Sequence, residues 1–173
     1  YIVACGTAYH AGMVAKQALE NMTGIPVEVA IASEFRYVCP TVNRDSLTIV
    51  ISQSGETLDT LMALKEAKKK GSRVLSIVNV QGSTIARESD DVLYTRAGPE
   101  IAVASTKGYT SQLTAIYQLA LYLACLKGSL SETEIEEIKS EMLKLPEKIE
   151  KILEKQEEIR SFAKQYASIE DVF

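Results

Sequence analysis

Two kinds of apolar pattern alternate along the first two-thirds of the chain. Short, mostly apolar runs occur at Tyr1–Cys5, Val27–Ile31, Leu47–Ile51, Arg73–Val78 and Asp91–Thr95. Leu47–Ile51 is the clearest, β-branched and uncharged, and reads as a strand buried on both faces. Between the runs, apolar residues recur three and four apart, as on one side of a helix. One such stretch passes through Met13, Val14, Gln17, Ala18 and Met22 and is closed by Gly24 and Pro26. A second runs from about Glu56 to Lys70, with Ser54 as its expected cap and Gly71 behind it. Ser33–Tyr37 is expected to make one helical turn, and Cys39-Pro40 to Asp45 a loop. Ser83–Glu88 is short, and a long apolar helix starts at Ser105 or Thr106 and ends near Gly128. Continuous apolar strands alternating with helices predict an α/β fold. The expected architecture is a three-layer, doubly wound, five-stranded parallel sheet over residues 1–130.

Residues 131–173 change character. Glu, Lys, Ile and Leu dominate, and Ile135, Ile138, Met142, Leu145, Ile149 and Ile152 recur at gaps of three and four. This is a helix-packing seam. Pro146 interrupts it, so two C-terminal helices are expected, with Pro146 near the start of the second. The seam suits packing on the domain, a lead into a further domain, or a dimer contact. The chain opens inside a strand and closes at IEDVF as another run begins, so it is expected to be a piece of something longer.

Composition narrows the function classes. The 173 residues carry 19 Lys and Arg against 23 Asp and Glu, a formal charge of −4. Binding along a duplex needs clustered cations, so no nucleic-acid partner is expected. With 46% hydrophobic residues the chain is not a disordered one. Cys5, Cys39 and Cys125 lie far apart and one histidine is present, so neither a metal site nor a disulfide framework is expected. A cytoplasmic setting fits. The longest apolar stretch, Ala115–Leu126, is too short to span a bilayer, so no membrane partner is expected.

Open parallel sheets bind ligands where strands end and helices begin. Three such turns share small residues and hydroxyls: Cys5-Gly6-Thr7-Ala8, Ser52-Gln53-Ser54-Gly55-Glu56-Thr57, and Val103-Ala104-Ser105-Thr106-Lys107. In the second, three hydroxyls surround a helix start, and Gly55 permits a tight turn. Free N–H groups and the helix dipole favour an anion there, and a phosphate monoester fits. Neither G-x-x-x-x-G-K-[ST] nor G-x-G-x-x-G occurs, which disfavours nucleoside triphosphates and dinucleotides. Ser54 and Glu56 also suit plain structural roles, as a cap and a first-turn acid. His10 is the general-base candidate by residue type, although a lone helical histidine is ordinarily a packing or surface residue. Cys5 precedes a helix start, which can activate a thiol, but without an adjacent base it reads as a small packing residue. Lys107 suits either a phosphate contact or a helix-start decoration.

At these turns the chain resembles a known family. CGTAYHAG, IASEFRY, SQSGETLDT and EIAVASTKGYTSQL are similar to the first sugar-isomerase (SIS) domain of the glutamine–fructose-6-phosphate aminotransferases, the glucosamine-6-phosphate synthases. SQSGET marks SIS domains at large, whereas IASEFRY with VASTK is more specific to the synthases. The resemblance covers the chain from Tyr1 through the tail helices. It implies an enzyme that makes glucosamine 6-phosphate from fructose 6-phosphate and glutamine, without a cofactor, as a homodimer or higher oligomer. It implies that Ser52, Gln53, Ser54 and Thr57 hold the sugar phosphate, and that Thr7, Val103, Ala104 and Ser105 line the sugar. Cys5, Gly6, Ala8, Gly55 and Lys107 stand beside them. Ala8 replaces the Ser of the family's C-G-T-S, which removes one hydroxyl from that turn. The family's glutaminase nucleophile, ring-opening histidine, proton-moving glutamate and C-terminal lysine have no counterparts in this chain. Binding without turnover is therefore expected. The alternatives are a non-catalytic sugar-phosphate sensor and a dimerisation module.

Overall fold

The computed structural model describes residues 1–38, 41–101 and 104–169. Cys39 and Val103 lie outside the described residues. The chain falls into two compact units, Tyr1–Leu130 and Ser131–Phe173.

In the first unit the five apolar runs become strands β1 (Ile2–Ala4), β2 (Val29–Ile31), β3 (Leu47–Ser52), β4 (Arg73–Val78) and β5 (Asp91–Tyr94). All neighbouring pairs are parallel, in the order β2-β1-β3-β4-β5. The expected α/β architecture is what is found. Successive side chains point to opposite faces of a strand, and here both faces are covered. Ile2, Ala4, Ile49, Ile51 and Ile77 pack on one face with Ala11, Ala15, Ala115, Ile116 and Ala120. These helix residues belong to α1 (Gly6–Thr23) and α5 (Lys107–Lys127). Val3, Val50, Val74 and Val78 point the other way, to Phe35, Ala63, Leu64, Ala67 and Ile85. Those belong to α2 (Phe35–Val38), α3 (Leu58–Lys69) and α4 (Thr84–Glu88).

Helix ends follow local chemistry. Gly24 and Gly128 close α1 and α5 in the left-handed conformation, with φ of 66° and 64°. The two C-terminal ends are then stitched together: Lys127 Nζ donates to the Thr23 carbonyl at 2.6 Å and Ser129 Oγ to that of Met22 at 2.7 Å. One expectation fails at α3. Ser54 does not cap it; the N-cap is Thr57 and the helix begins at Leu58. The reason is tertiary, because residues 55 and 56 bond to α4 instead of continuing the helix backwards.

Among its described residues the second unit holds three helices where two are expected: α6 (Glu132–Leu143), α7 (Leu145–Leu153) and α8 (Gln156–Gln165). Ser131 and Glu134 form a reciprocal capping box at the start of α6. Pro146 sits at the start of α7 as expected. The additional break falls at Glu154-Lys155, where no Pro or Gly announces it. Lys144 and Lys148 both bond Glu141, each at 2.7 Å, and hold its carboxyl at about 2. Along the expected seam Leu145, Ile149 and Ile152 are exposed.

A four-residue helix is marginal by itself, and α2 persists because Phe35 is fully buried beneath it. Phe35→Ala should cost about 3–5 kcal/mol. Urea denaturation of the 173-residue chain checks this, and a loss below 1 kcal/mol would show that Phe35 does not anchor α2.

Candidate functional site

The strand order reverses between β1 and β3. From their carboxyl ends α1 and α3 leave toward opposite faces of the sheet, which opens a crevice between them. A cleft of about 250 Å³ occupies this position. Its wall is formed by Cys5, Thr7 and Ala8 after β1, and by Ile51, Ser52, Gln53, Ser54, Thr57 and Thr60 around the end of β3. Glu100, Ser105 and Gln112 close it from the α5 side. The volume suits a small polyol ester better than a dinucleotide.

The turn after β3 is built to present hydroxyls. Ser52 is 3% exposed, and its Oγ accepts from Gly55 N at 3.0 Å. The same oxygen lies 3.1 Å from Thr57 Oγ1. One proton is used in that mutual hydrogen bond, which leaves the other available for a ligand. Ser54 Oγ accepts from Glu56 N at 3.2 Å, and its proton is likewise free to donate outward. Among the described residues no side chain caps α3. The first-turn N–H groups and the positive end of the dipole therefore face the cleft without an internal partner.

Gly55 is the residue the turn cannot replace. Its φ is 68°, and a Cβ there would fall on the Ser83 side chain at the start of α4. The Gly55 carbonyl accepts from Ile85 N at 2.9 Å, and Glu56 Oε1 from Thr84 N at 2.8 Å. Glu56 is thus neither a first-turn acid of α3 nor directed at the cleft. It caps α4, and the Thr84 backbone bond lowers its pKa below the ordinary glutamate value.

Of the two remaining turns, one is open and one is filled. At β1–α1, Cys5 is the N-cap without a side-chain cap bond, and Gly6 adopts φ 56°. Thr7 and Ala8 follow into the cleft wall. At α5 a carboxylate already occupies the helix start. Glu100 Oε1 accepts from Thr106 N at 2.9 Å and Gly108 N at 3.1 Å, and Oε2 accepts from Ser105 Oγ at 3.1 Å. These backbone bonds, Thr106 first, lower the Glu100 pKa. Gly108 makes room for this seat, since a Cβ there would displace the carboxylate. Glu100 therefore already fills the third helix start with negative charge. The loop leading to it is clamped by Asn79. Its Oδ1 accepts from Ala97 N at 2.8 Å and its Nδ2 donates to the Gly98 carbonyl at 2.8 Å.

Other sequence candidates fall elsewhere. His10 is exposed and packs edge-on against Tyr9, with ring centroids 5.8 Å apart, away from the cleft. Ala104 and Lys107 are exposed and outside the cleft lining, as is Gly6. Val103 lies outside the described residues. Three polar cleft residues are not singled out by the sequence: Thr60, Glu100 and Gln112. Glu100 stands five residues before Ser105, too far for a capping-box spacing, so only the fold reveals its role.

Comparison with known proteins gives concordant results. The family model described as "SIS domain" matches residues 1–122. A glutamine–fructose-6-phosphate aminotransferase of Clostridium tetani is 61% identical over 173 residues, all of this chain and 28% of the relative. The corresponding protein of Streptomyces coelicolor is 51% identical over 166 residues, 96% of this chain and 27% of the relative. Among solved structures, the C-terminal domain of glucosamine-fructose-6-phosphate aminotransferase from Francisella tularensis superposes with a TM-score of 0.91 at 42% identity. That match covers 96% of this chain and 48% of the other. The chain thus spans little more than a quarter of the length of these curated relatives.

Gly55→Ala should destabilise the first unit by about 2 kcal/mol or more, from left-handed strain plus the overlap with Ser83. Thermal or urea unfolding reads this directly. An unchanged midpoint would mean that the turn and α4 separate without cost.

Proposed function

Because this chain belongs to the SIS domain family, we propose that its cleft binds the phosphate and sugar of fructose 6-phosphate or glucosamine 6-phosphate, as one SIS domain of a glutamine–fructose-6-phosphate aminotransferase. The observation that carries this reading is the β3–α3 turn. Ser52, Ser54 and Thr57 converge on a helix start with no internal cap, at the switch point of a parallel sheet. A phosphate dianion is the ligand whose oxygens match that set of donors. Gln53 stands in the same turn, while Thr7 and Ser105 sit on the wall toward the sugar. Phosphate therefore goes to β3–α3, where the helix start is open, and not to α5, where Glu100 supplies the negative charge.

The cleft supports binding more than turnover. Aldose–ketose isomerisation needs a positioned base and a stabilised enediolate. Cys5 and Glu100 are the only titratable side chains of the described lining. Glu100 is engaged by Thr106, Gly108 and Ser105 and does not stand free to move a proton. The proposed division is accordingly a phosphate-holding unit at residues 1–130 and a helical extension at 131–173, with catalytic groups contributed from outside this chain. A homodimer in the cytoplasm is the proposed setting. Sedimentation equilibrium on the chain should show dimer at micromolar concentration, and a strict monomer at 100 µM (about a hundredfold more) would remove that part.

A hydrogen bond to a charged phosphate contributes about 1.5–3 kcal/mol. Ser52→Ala and Thr57→Ala should each weaken fructose 6-phosphate binding by roughly ten- to a hundredfold. Calorimetric titration of the chain and both variants tests the assignment, and affinities equal to wild type in both would sink it.

A further inference from the structure

Two polar side chains of the cleft have no protein partner among the described residues. Thr60 is fully buried on the first turn of α3, and its Oγ1 makes no hydrogen bond. Gln112 is 2% exposed on the second turn of α5, and no hydrogen bond engages its carboxamide among the described residues. Both line the same cleft. They arrive from opposite layers, since α3 packs on one face of the sheet and α5 on the other.

Buried polar groups in native structures are almost always satisfied, and an exception calls for an explanation. Leaving a buried amide or hydroxyl unpaired is destabilising relative to pairing it. Thr60 Oγ1 is one such exception on the 250 Å³ cleft, and the unpaired carboxamide of Gln112 shares that cleft, which suggests a common cause, namely a ligand that supplies the missing partners. The ligand end concerned is not the phosphate. The hydroxyls of Ser52, Ser54 and Thr57 and the uncapped N–H groups already answer an anion. A carboxamide both donates and accepts, which is what a neutral polyol hydroxyl, itself donor and acceptor, requires. A dianion requires donors only.

We infer that Gln112 is a specificity-determining residue of the site, its carboxamide pairing with hydroxyls of the bound sugar, with Thr60 as a second, smaller contact. This rests on the sugar-phosphate reading above and adds to it the element that separates a sugar phosphate from bare phosphate. Glu100, beside them, does not take that role, because an ionised carboxylate accepts only and its oxygens are engaged by Thr106, Gly108 and Ser105.

The test compares two ligands on one protein. Fructose 6-phosphate and inorganic phosphate are titrated calorimetrically into the 173-residue chain, its Gln112→Leu variant and its Thr60→Val variant. Gln112→Leu should lose about five- to thirtyfold in affinity for fructose 6-phosphate while affinity for inorganic phosphate stays within about twofold. Thr60→Val should keep or raise the melting midpoint, since it deletes an unpaired hydroxyl, and still weaken the sugar phosphate. A fructose 6-phosphate loss below about threefold in Gln112→Leu overturns the inference, as does an equal loss for both ligands. Should the leucine variant fail to fold, Gln112→Asn, which keeps the carboxamide but withdraws it by one methylene, is judged by the same criterion. A wild-type chain that binds neither ligand overturns the proposed function, and this inference with it. A wild type that binds beside an indifferent Gln112 variant overturns the inference alone.

Discussion

The arrangement of the first unit depends on β1 having parallel partners on both sides, β2 through Ile2↔Val29 and β3 through Ile2↔Ile49. A strand in that position makes the chain leave the sheet in two directions. The helix after β1 must cover one face, and the helix after β3 the other. The helix starts therefore splay apart at the carboxyl edge, and the gap cannot be filled by either. Backbone N–H groups that helix geometry leaves unpaired are gathered there without any specialised sequence. The site is thus a consequence of topology first and of residue choice second.

Residue choice then decides what each helix start receives. α1 begins without a cap beside Thr7, and α3 begins without a cap beside Ser52, Ser54 and Thr57. α5 begins with Glu100 already seated on Thr106 and Gly108. Had all three starts been open, the edge would carry a broad positive field with little to orient one anion over another. Filling one of them confines the positive end to the β1 and β3 side. It also leaves α5 to contribute neutral groups, Ser105 and Gln112. The charge and the uncharged polar groups are in this way separated across a few ångströms.

Much of this was legible beforehand. The β-branched run Leu47–Ile51 and its fellows announce a sheet buried on both faces, because a half-exposed strand would alternate. The hydroxyl-rich turn after β3 singles out Ser52, Ser54 and Thr57, which the structure brings together on one cleft. What sequence could not supply is anything that depends on which loops meet. Ser54 looks like a cap on local rules alone, yet α4 captures Gly55 and Glu56 and moves the helix start to Leu58. Glu100 looks like a loop acid until α5 is placed over it. Thr60 and Gln112 sit at ordinary helix positions and only the crevice makes them conspicuous. Likewise the break before α8 carries no Pro or Gly, and only a gap in the apolar spacing after Ile152 and Leu153 marks it.

The bonds from the β3–α3 turn to α4 bear on how a ligand would be met. Gly55 is hydrogen-bonded to Ile85, Glu56 to Thr84, and Ser83 fills the space under the glycine. A loop held in this manner has lost its conformational freedom during folding, before any encounter with ligand. Little ordering then remains to oppose association at that turn. Its hydroxyls behave as a rigid receptor, and any adaptation to ligands of different shape must come from the opposite wall.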